Sequence, residues 1–325
     1  MSQGSMELHR SATVVDTHCD TLLSLASGRR QLKERCDQGH IDLPRLKEGG
    51  VDVQFFACYI EPQYKPERAV KRVLQMIDVF YREMEANHSD IELARTVGDI
   101  ERISSLGKVA AVLSIEGGEA IGDDLGILRV LHRLGVRALG LVWNERNSLA
   151  DGLAERRTRG GLTNLGVQVV QEMNRLGMIV DVSHLTDEGF WDVIEVSRQP
   201  IIASHSNARA VCDHPRNLTD DQIVALAKNG GVMGMNFAPA FVRPEAPTIE
   251  DLLDHIDHIC RLVGPDHVGL GSDFDGISGT PRGLEDVTQL PSLTAGLVRR
   301  GYRAADIRKI LGDNHLRVMR EVFGA

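Results

Sequence analysis

Eight short runs of apolar, largely β-branched residues recur along this chain of 325 residues, with amphipathic stretches between them. They fall at Val14–Asp20, Val51–Ile60, Val109–Glu116, Ala138–Asn144, Met178–His184, Pro200–His205, Gly231–Phe237 and His267–Asp273. A strand with one wet face alternates polar and apolar residues; these runs are nearly continuous in hydrophobicity. That is the mark of strands covered on both faces, as in parallel sheets. The segments between them carry helical spacing. In Pro66–His88 the residues Val70, Val73, Leu74, Ile77, Phe80, Tyr81 and Met84 form one stripe. Asn164–Leu176, Thr186–Ser197, Thr219–Asn229 and Thr248–Leu262 read the same way, with Thr186, Thr219 and Thr248 as N-caps. Arg303–Leu311 and Asp313–Phe323 are two closing helices. Eight βα units without a linker predict a single α/β domain over residues 1–325, a (β/α)8 TIM-like barrel with extra C-terminal helices. A doubly wound sheet remains the alternative, because periodicity does not separate the two. Residues 1–10 carry no such pattern and read as a disordered leader.

Composition narrows the partners. With 42% hydrophobic and 26% charged residues the chain has ample material for a core. A net charge of −9 argues against nucleic acid or an anionic membrane as a principal partner. No stretch reads as a signal peptide or bilayer span, so cytoplasmic residence is the expectation. The five cysteines are scattered, without a C-x-x-C pair, and read as free thiols.

Polar residues stand where the apolar runs end. Asp16-Thr17-His18-Cys19-Asp20 closes the first, and side chains alternate along a strand, so His18 and Asp20 share a face. Glu116 closes the third run, His184 the fifth, His205 the sixth and Asp273 the eighth. Singly, each is an ordinary cap or turn residue. Together they put six ligand-type groups on the rim where a barrel of this type works, at the C-terminal ends of its strands. Imidazole nitrogens beside carboxylate oxygens suit a borderline cation such as zinc. Three histidines with Asp and Glu suggest two ions: His18, Asp20 and Glu116 hold one, Glu116, His184 and His205 the other, Glu116 being the bridge. A hydroxide between two such ions is a nucleophile at neutral pH. Asp273, outside both ligand sets, accepts and delivers the proton. Arg216 in His-Pro-Arg-Asn is placed to read a substrate carboxylate, while Asp16 braces the first strand end and Cys19 faces away.

These motifs, in this order, resemble the renal (membrane) dipeptidase family of zinc peptidases. The most specific are Ser-Ile-Glu-Gly-Gly, Asp-Val-Ser-His, Ser-His-Ser-Asn-Ala followed by Arg-Asn, and Gly-Ser-Asp-Phe-Asp-Gly; Gly283–Val287 is a further match. The resemblance covers nearly the whole chain. It implies two zinc ions on His18, Asp20, Glu116, His184 and His205, Asp273 at the catalytic water, and Arg216 on the substrate's terminal carboxylate. It also implies cleavage of dipeptides, often with a D-residue at the C-terminal position, and a homodimer. One departure stands out: where the mammalian enzymes have a substrate-contacting histidine, this chain has Trp143, whose indole cannot act as acid or cation. Asn144 or Asn147 is then the expected compensating donor. Two rival readings follow: an amidohydrolase acting on N-acyl amino acids or β-lactam-like amides, and a catalytically weak relative that only binds peptide-like ligands.

Overall fold

The structure is a computed structural model and describes residues 2–324. Among these, nine strands form one parallel sheet: β1 Val15–Asp16, β2 Val53–Tyr59, β3 Ile91–Leu93, β4 Val109–Glu116, β5 Val136–Gly140, β6 Ile179–Asp181, β7 Ile202–Ala203, β8 Val232–Met235 and β9 Val268–Leu270. From β1 the pairing runs one way to β2 and the other way through β9, β8, β7, β6 and β5 to β4. The pairing of β2 with β4, from Val53 opposite Ala110 to Tyr59 opposite Glu116, closes the ring. Eight strands thus make a barrel with helices outside, and the doubly wound alternative falls. The ninth, β3, has no counterpart in the sequence reading. It lies against the first residues of β4, on the edge that β5 takes over from Leu113 onward. A three-residue strand is too short to stand out as an apolar run.

Alternation along β4 shows how the barrel is filled. Val109, Ala111 and Leu113 belong to the cluster that packs beneath the outer helices. Ala110 and Val112 join Val53, Phe55, Ala138, Ile179, Ile202 and Val232 in a second cluster, the barrel interior. Val318, Met319 and Val322 of the helix Asn314–Phe323 belong to that cluster as well, so this helix stops the barrel's N-terminal end. The same inward row of β4 continues through Ser114 to Glu116 at the opposite mouth.

Several strands are shorter than their apolar runs. Beyond β1, β6 and β7 the ladder gives way to side chains: Asp16 accepts from the Ser272 and His18 amides, and Asp181 from those of Ser183 and Ser204. The mouth residues leave the sheet without leaving their backbone groups unsatisfied. Thr186 and Thr219 cap their helices as expected, accepting from the Gly189 and Gln222 amides. Thr248 also stands at the N-cap of its helix, its amide donating to Asp251 three residues on at 2.8 Å.

The expected disordered leader is a helix, Gln3–Ser11, capped by Ser2. Its anchor is polar, which hides it from a hydrophobic pattern: buried His9 bridges Thr294 Oγ1 at 2.7 Å and the Gly49 carbonyl at 2.8 Å. His255 is likewise fully buried, between the Ala208 amide and the Val242 carbonyl. Among the described residues, no helix is long and apolar enough to cross a membrane.

The β7–β9 contact at the mouth leaves no room for a side chain at Gly271, where an added Cβ would lie 1.7 Å from the Ser204 carbonyl oxygen. Gly271→Ala is expected to destabilise the fold by about 3 kcal/mol. Gly4→Ala, in a helix with nothing within 4 Å, is expected to stabilise it by less than about 1 kcal/mol. Urea midpoints measure both, and equal effects would contradict this account of the packing.

Candidate metal centre

Glu116 ends β4 buried, with its two oxygens facing different partners. Oε1 lies 2.8 Å from His184 Nε2 and 3.5 Å from His205 Nε2. Oε2 lies 3.7 Å from His18 Nε2, which is itself 3.4 Å from Asp20 Oδ2. Two donors on one tetrahedral zinc, each at about 2.1 Å, are about 3.4 Å apart, so these separations are those of groups that share an ion. Loops after β1, β4, β6, β7 and β9 deliver all six expected groups to one mouth. Asp273 comes closer than expected: its Oδ1 is 3.9 Å from His18 Nε2, and His18, Asp20 and Asp273 form a cluster with donor atoms within 4.8 Å. His18, Glu116 and His205 form another.

The donor set fits a cation. His18 Nε2 and Asp20 Oδ1 are buried with no hydrogen-bond partner, a costly arrangement unless something else engages them. The histidines are held in ligand form. Ser204 Oγ gives its one hydrogen to Asp181 Oδ2, so it accepts from His205 Nδ1 at 2.7 Å and leaves the Nε2 lone pair facing Glu116. Asn144 Oδ1 accepts from His184 Nδ1 at 3.0 Å with the same result. His184 and Asp273 also adopt left-handed backbone, φ 71° and 63°, which non-glycine residues take up only where the surroundings enforce it.

Electrostatics follow from burial and crowding. Burial, with help from Arg216 and His18, holds the pKa of His184 well below the ordinary value, and burial does the same for His205. For His18, burial is outweighed by Glu116, Asp20 and Asp273, which raise its pKa to about 10. Burial and neighbouring carboxylates push Asp273 up to about 7 and Asp20 to about 6. Glu116 stays below the usual range: burial opposes its charge, but His18 and His205 favour it.

A cleft of about 490 Å³ opens over these groups, lined by Tyr59, Trp143, Asn144, His214, Arg216 and Phe241 among others. Arg216 is buried. Its Nη2 donates to the His205 carbonyl at 3.0 Å and stands 3.1 Å from His184 Nε2, while Nε has no partner. Trp143 forms a wall with Tyr59, ring centroids 5.1 Å apart, backed by Lys65 Nζ at 5.4 Å from the indole. Asn147 is not in the cleft. Its amide is spent within the loop, Nδ2 on the Leu141 carbonyl and Oδ1 on the Leu149 and Ala150 amides. Of the two asparagines it is Asn144 that reaches the site. Its role, like that of Ser204, is carried by partners remote in sequence, although Asp181 and Ser204 stand beside the motif histidines. Asp16 braces as expected, holding Ser272, Gln54 and the His18 amide. Cys19 packs into the core.

The profile of the membrane dipeptidase family, peptidase family M19, matches residues 3–324. Dipeptidase tcpJ of Claviceps purpurea is 37% identical over 295 residues, 87% of this chain and 69% of that protein. An uncharacterized dipeptidase of Schizosaccharomyces pombe is 36% identical over 346 residues, 97% of this chain and 82% of that one. Among solved structures, a metallopeptidase of Rhodobacter sphaeroides bound to a phosphinate mimic of L-Ala-D-Ala superposes with a TM-score of 0.89. It is 34% identical, and the match covers 96% of this chain and 99% of that one.

Two outcomes are expected. Ser204→Ala, which frees His205 Nδ1, should weaken metal binding about tenfold with the fold retained, as read by chelator competition. Metal affinity should also rise with pH. The raised pKa of His18 keeps a proton there through neutral pH, and a metal displaces it, so loading near neutrality releases protons. Calorimetry in buffers of different ionisation enthalpy reads that release; none detected would contradict the assignment of His18.

Proposed function

Since the chain belongs to the membrane dipeptidase family and is a metal-dependent dipeptidase, we propose that it works with two zinc ions on dipeptides of the L,L and L,D series. His18, Asp20 and Glu116 hold one ion and Glu116, His184 and His205 the other. The observation that carries this reading is Glu116, whose Oε2 faces His18 while its Oε1 faces His184 and His205. When bound, such a pair of ions supplies a hydroxide nucleophile at neutral pH and polarises the scissile carbonyl.

The chain's own residues do the rest. Arg216 brings a buried guanidinium to one side of the cleft and pairs with the free carboxylate of the substrate. This limits substrates to those with a terminal carboxylate close to the scissile bond, as a dipeptide has. Asp273 takes up a proton and returns it to the leaving amine. A pKa near 7 suits both tasks at neutral pH, and Asn236 Nδ2, donating to Oδ2 at 2.9 Å, fixes the carboxyl so that Oδ1 faces His18. Tyr59 and Trp143 shield the reacting bond from bulk water, and the cleft volume suits a ligand of a few tens of atoms. The L-Ala-D-Ala mimic in the Rhodobacter relative supports the L,D series. Family likeness and composition support the accompanying expectations of a homodimer and of cytoplasmic residence.

The test joins metal analysis to a panel of L,L- and L,D-dipeptides. Two equivalents of zinc and turnover of at least part of the panel are expected. His18→Ala should lose metal and activity together, whereas Asp273→Asn should keep its metal and lose about 10²–10⁴ in kcat. A metal-replete protein that leaves every dipeptide intact overturns the reading.

A further inference from the structure

One cation at the cleft is unengaged. Arg156 lines it on the same side as His214 and Arg216, and it also lines an adjoining hollow with Asp213 and Pro215. Its side chain is exposed and makes no hydrogen bond or ion pair with any described residue. Arg157 and Arg159 beside it are likewise without a side-chain partner among the described residues but do not line the cleft, and two other nearby arginines are engaged. Arg146 pairs with Asp151, and Arg209 grips Asp187 with bonds of 2.8 and 3.0 Å. Nor is Arg156 on a loose segment. It belongs to the 3-10 stretch Leu153–Thr158, whose start is fastened by the Leu153 amide to the His184 carbonyl at 3.0 Å and by the Ala154 amide to the Asn144 carbonyl at 2.8 Å. The backbone beside Arg156 is therefore registered against a histidine of the metal centre and against its orienting asparagine.

Charge in the adjoining hollow is mixed, with Asp187, Glu188 and Asp213 beside Arg156, Arg159 and Arg209, whereas in the cleft itself the two guanidinium groups are Arg216 and Arg156. Arg216 and Arg156 are cations, and His214 between them is neutral in character, its pKa lowered by burial and then by Arg216, Arg209 and Arg156. The His214 Nδ1 accepts the Arg216 amide at 3.1 Å, which ties its ring to the same loop. Asp213 borders only the outer hollow and is not paired with Arg156. A ligand whose α-carboxylate sits on Arg216 has in the same cleft lining a second guanidinium that no carboxylate hydrogen-bonds.

We propose that Arg156 is a specificity residue that receives the side-chain carboxylate of an acidic C-terminal residue, making dipeptides that end in aspartate or glutamate the preferred class. The inference rests on the dipeptidase reading above, with Arg216 on the α-carboxylate. A guanidinium pairs with a carboxylate through two parallel charge-assisted hydrogen bonds. At an exposed cleft edge this is worth about a two- to fivefold preference, less at high salt. Basic C-terminal residues are disfavoured by the same charge.

The experiment compares kcat/KM for Ala-Asp with Ala-Asn, and for Ala-Glu with Ala-Gln, as L,L and L,D diastereomers. It uses the zinc-loaded wild type, Arg156→Ala and Arg156→Lys, each at low and high salt. The acidic member of each pair should lead by about two- to fivefold in the wild type at low salt. Arg156→Ala should bring that ratio close to one, and Arg156→Lys should keep part of it. A wild type without acidic preference, or one whose preference survives Arg156→Ala, overturns the inference and leaves the dipeptidase reading intact. Failure of the metal-loaded wild type on every dipeptide, neutral ones included, overturns both.

Discussion

The mouth of this barrel is organised by a carboxylate that has been taken out of water and given no permanent counter-charge of its own. Glu116 is buried among three imidazoles and two further carboxyl groups. An isolated buried charge is expensive, and like charges nearby raise the cost. The crowding favours the protonated form of His18, whose pKa rises to about 10, and lifts those of Asp20 and Asp273 to about 6 and about 7. A bound metal would resolve the same conflict more completely. The electrostatic tension and the ligand geometry are therefore one feature seen from two sides.

That feature depends on closure of the sheet. Glu116 is the last residue of an inward-facing row, and its strand is the one whose pairing with β2 closes the ring. A register slip of one residue would turn the carboxylate outward among the helices. The mouth is then held by side chains that replace the strand ladder. Asp16 joins the β1 and β9 ends through Ser272, and Asp181 joins the β6 and β7 ends through the Ser204 amide. Asp181 and Ser204 also fix the tautomer of His205, so one network both satisfies the backbone and prepares a ligand.

The arginines proposed to read the substrate are built on the same loops, at little distance from the candidate ligands. Arg216 contacts the backbone of one ligand histidine and the ring of another, and the segment bearing Arg156 is fastened to His184 and Asn144. Placing cations beside a metal centre looks unfavourable in isolation. It is tolerable because the carboxylates of the centre offset part of their charge, and useful because the remaining field faces the open cleft.

How much of this was legible in the chain depends on the range of the interaction. Periodicity located all eight barrel strands, since burial on both faces leaves a continuous apolar run, and the five ligands stand in short motifs at the ends of those runs. The strand β3 and the first helix escaped because the one is only three residues long and the other is anchored by His9 rather than by an apolar stripe. Asn147 and Asn144, three residues apart and equal candidates by type, were separated only by folding. One spends its amide on its own loop, and the other meets His184 across 40 positions. Local patterns record burial and residue chemistry, and from these the chain by itself determined an eight-stranded parallel architecture with a metal-binding set at its mouth. Which oxygen of Glu116 faces which histidine, which tautomer each ring adopts, and which arginine is left free are contacts between distant segments. Only the closed barrel decided them, because hydrogen bonds and ion pairs depend on ångström distances that no spacing along the chain encodes.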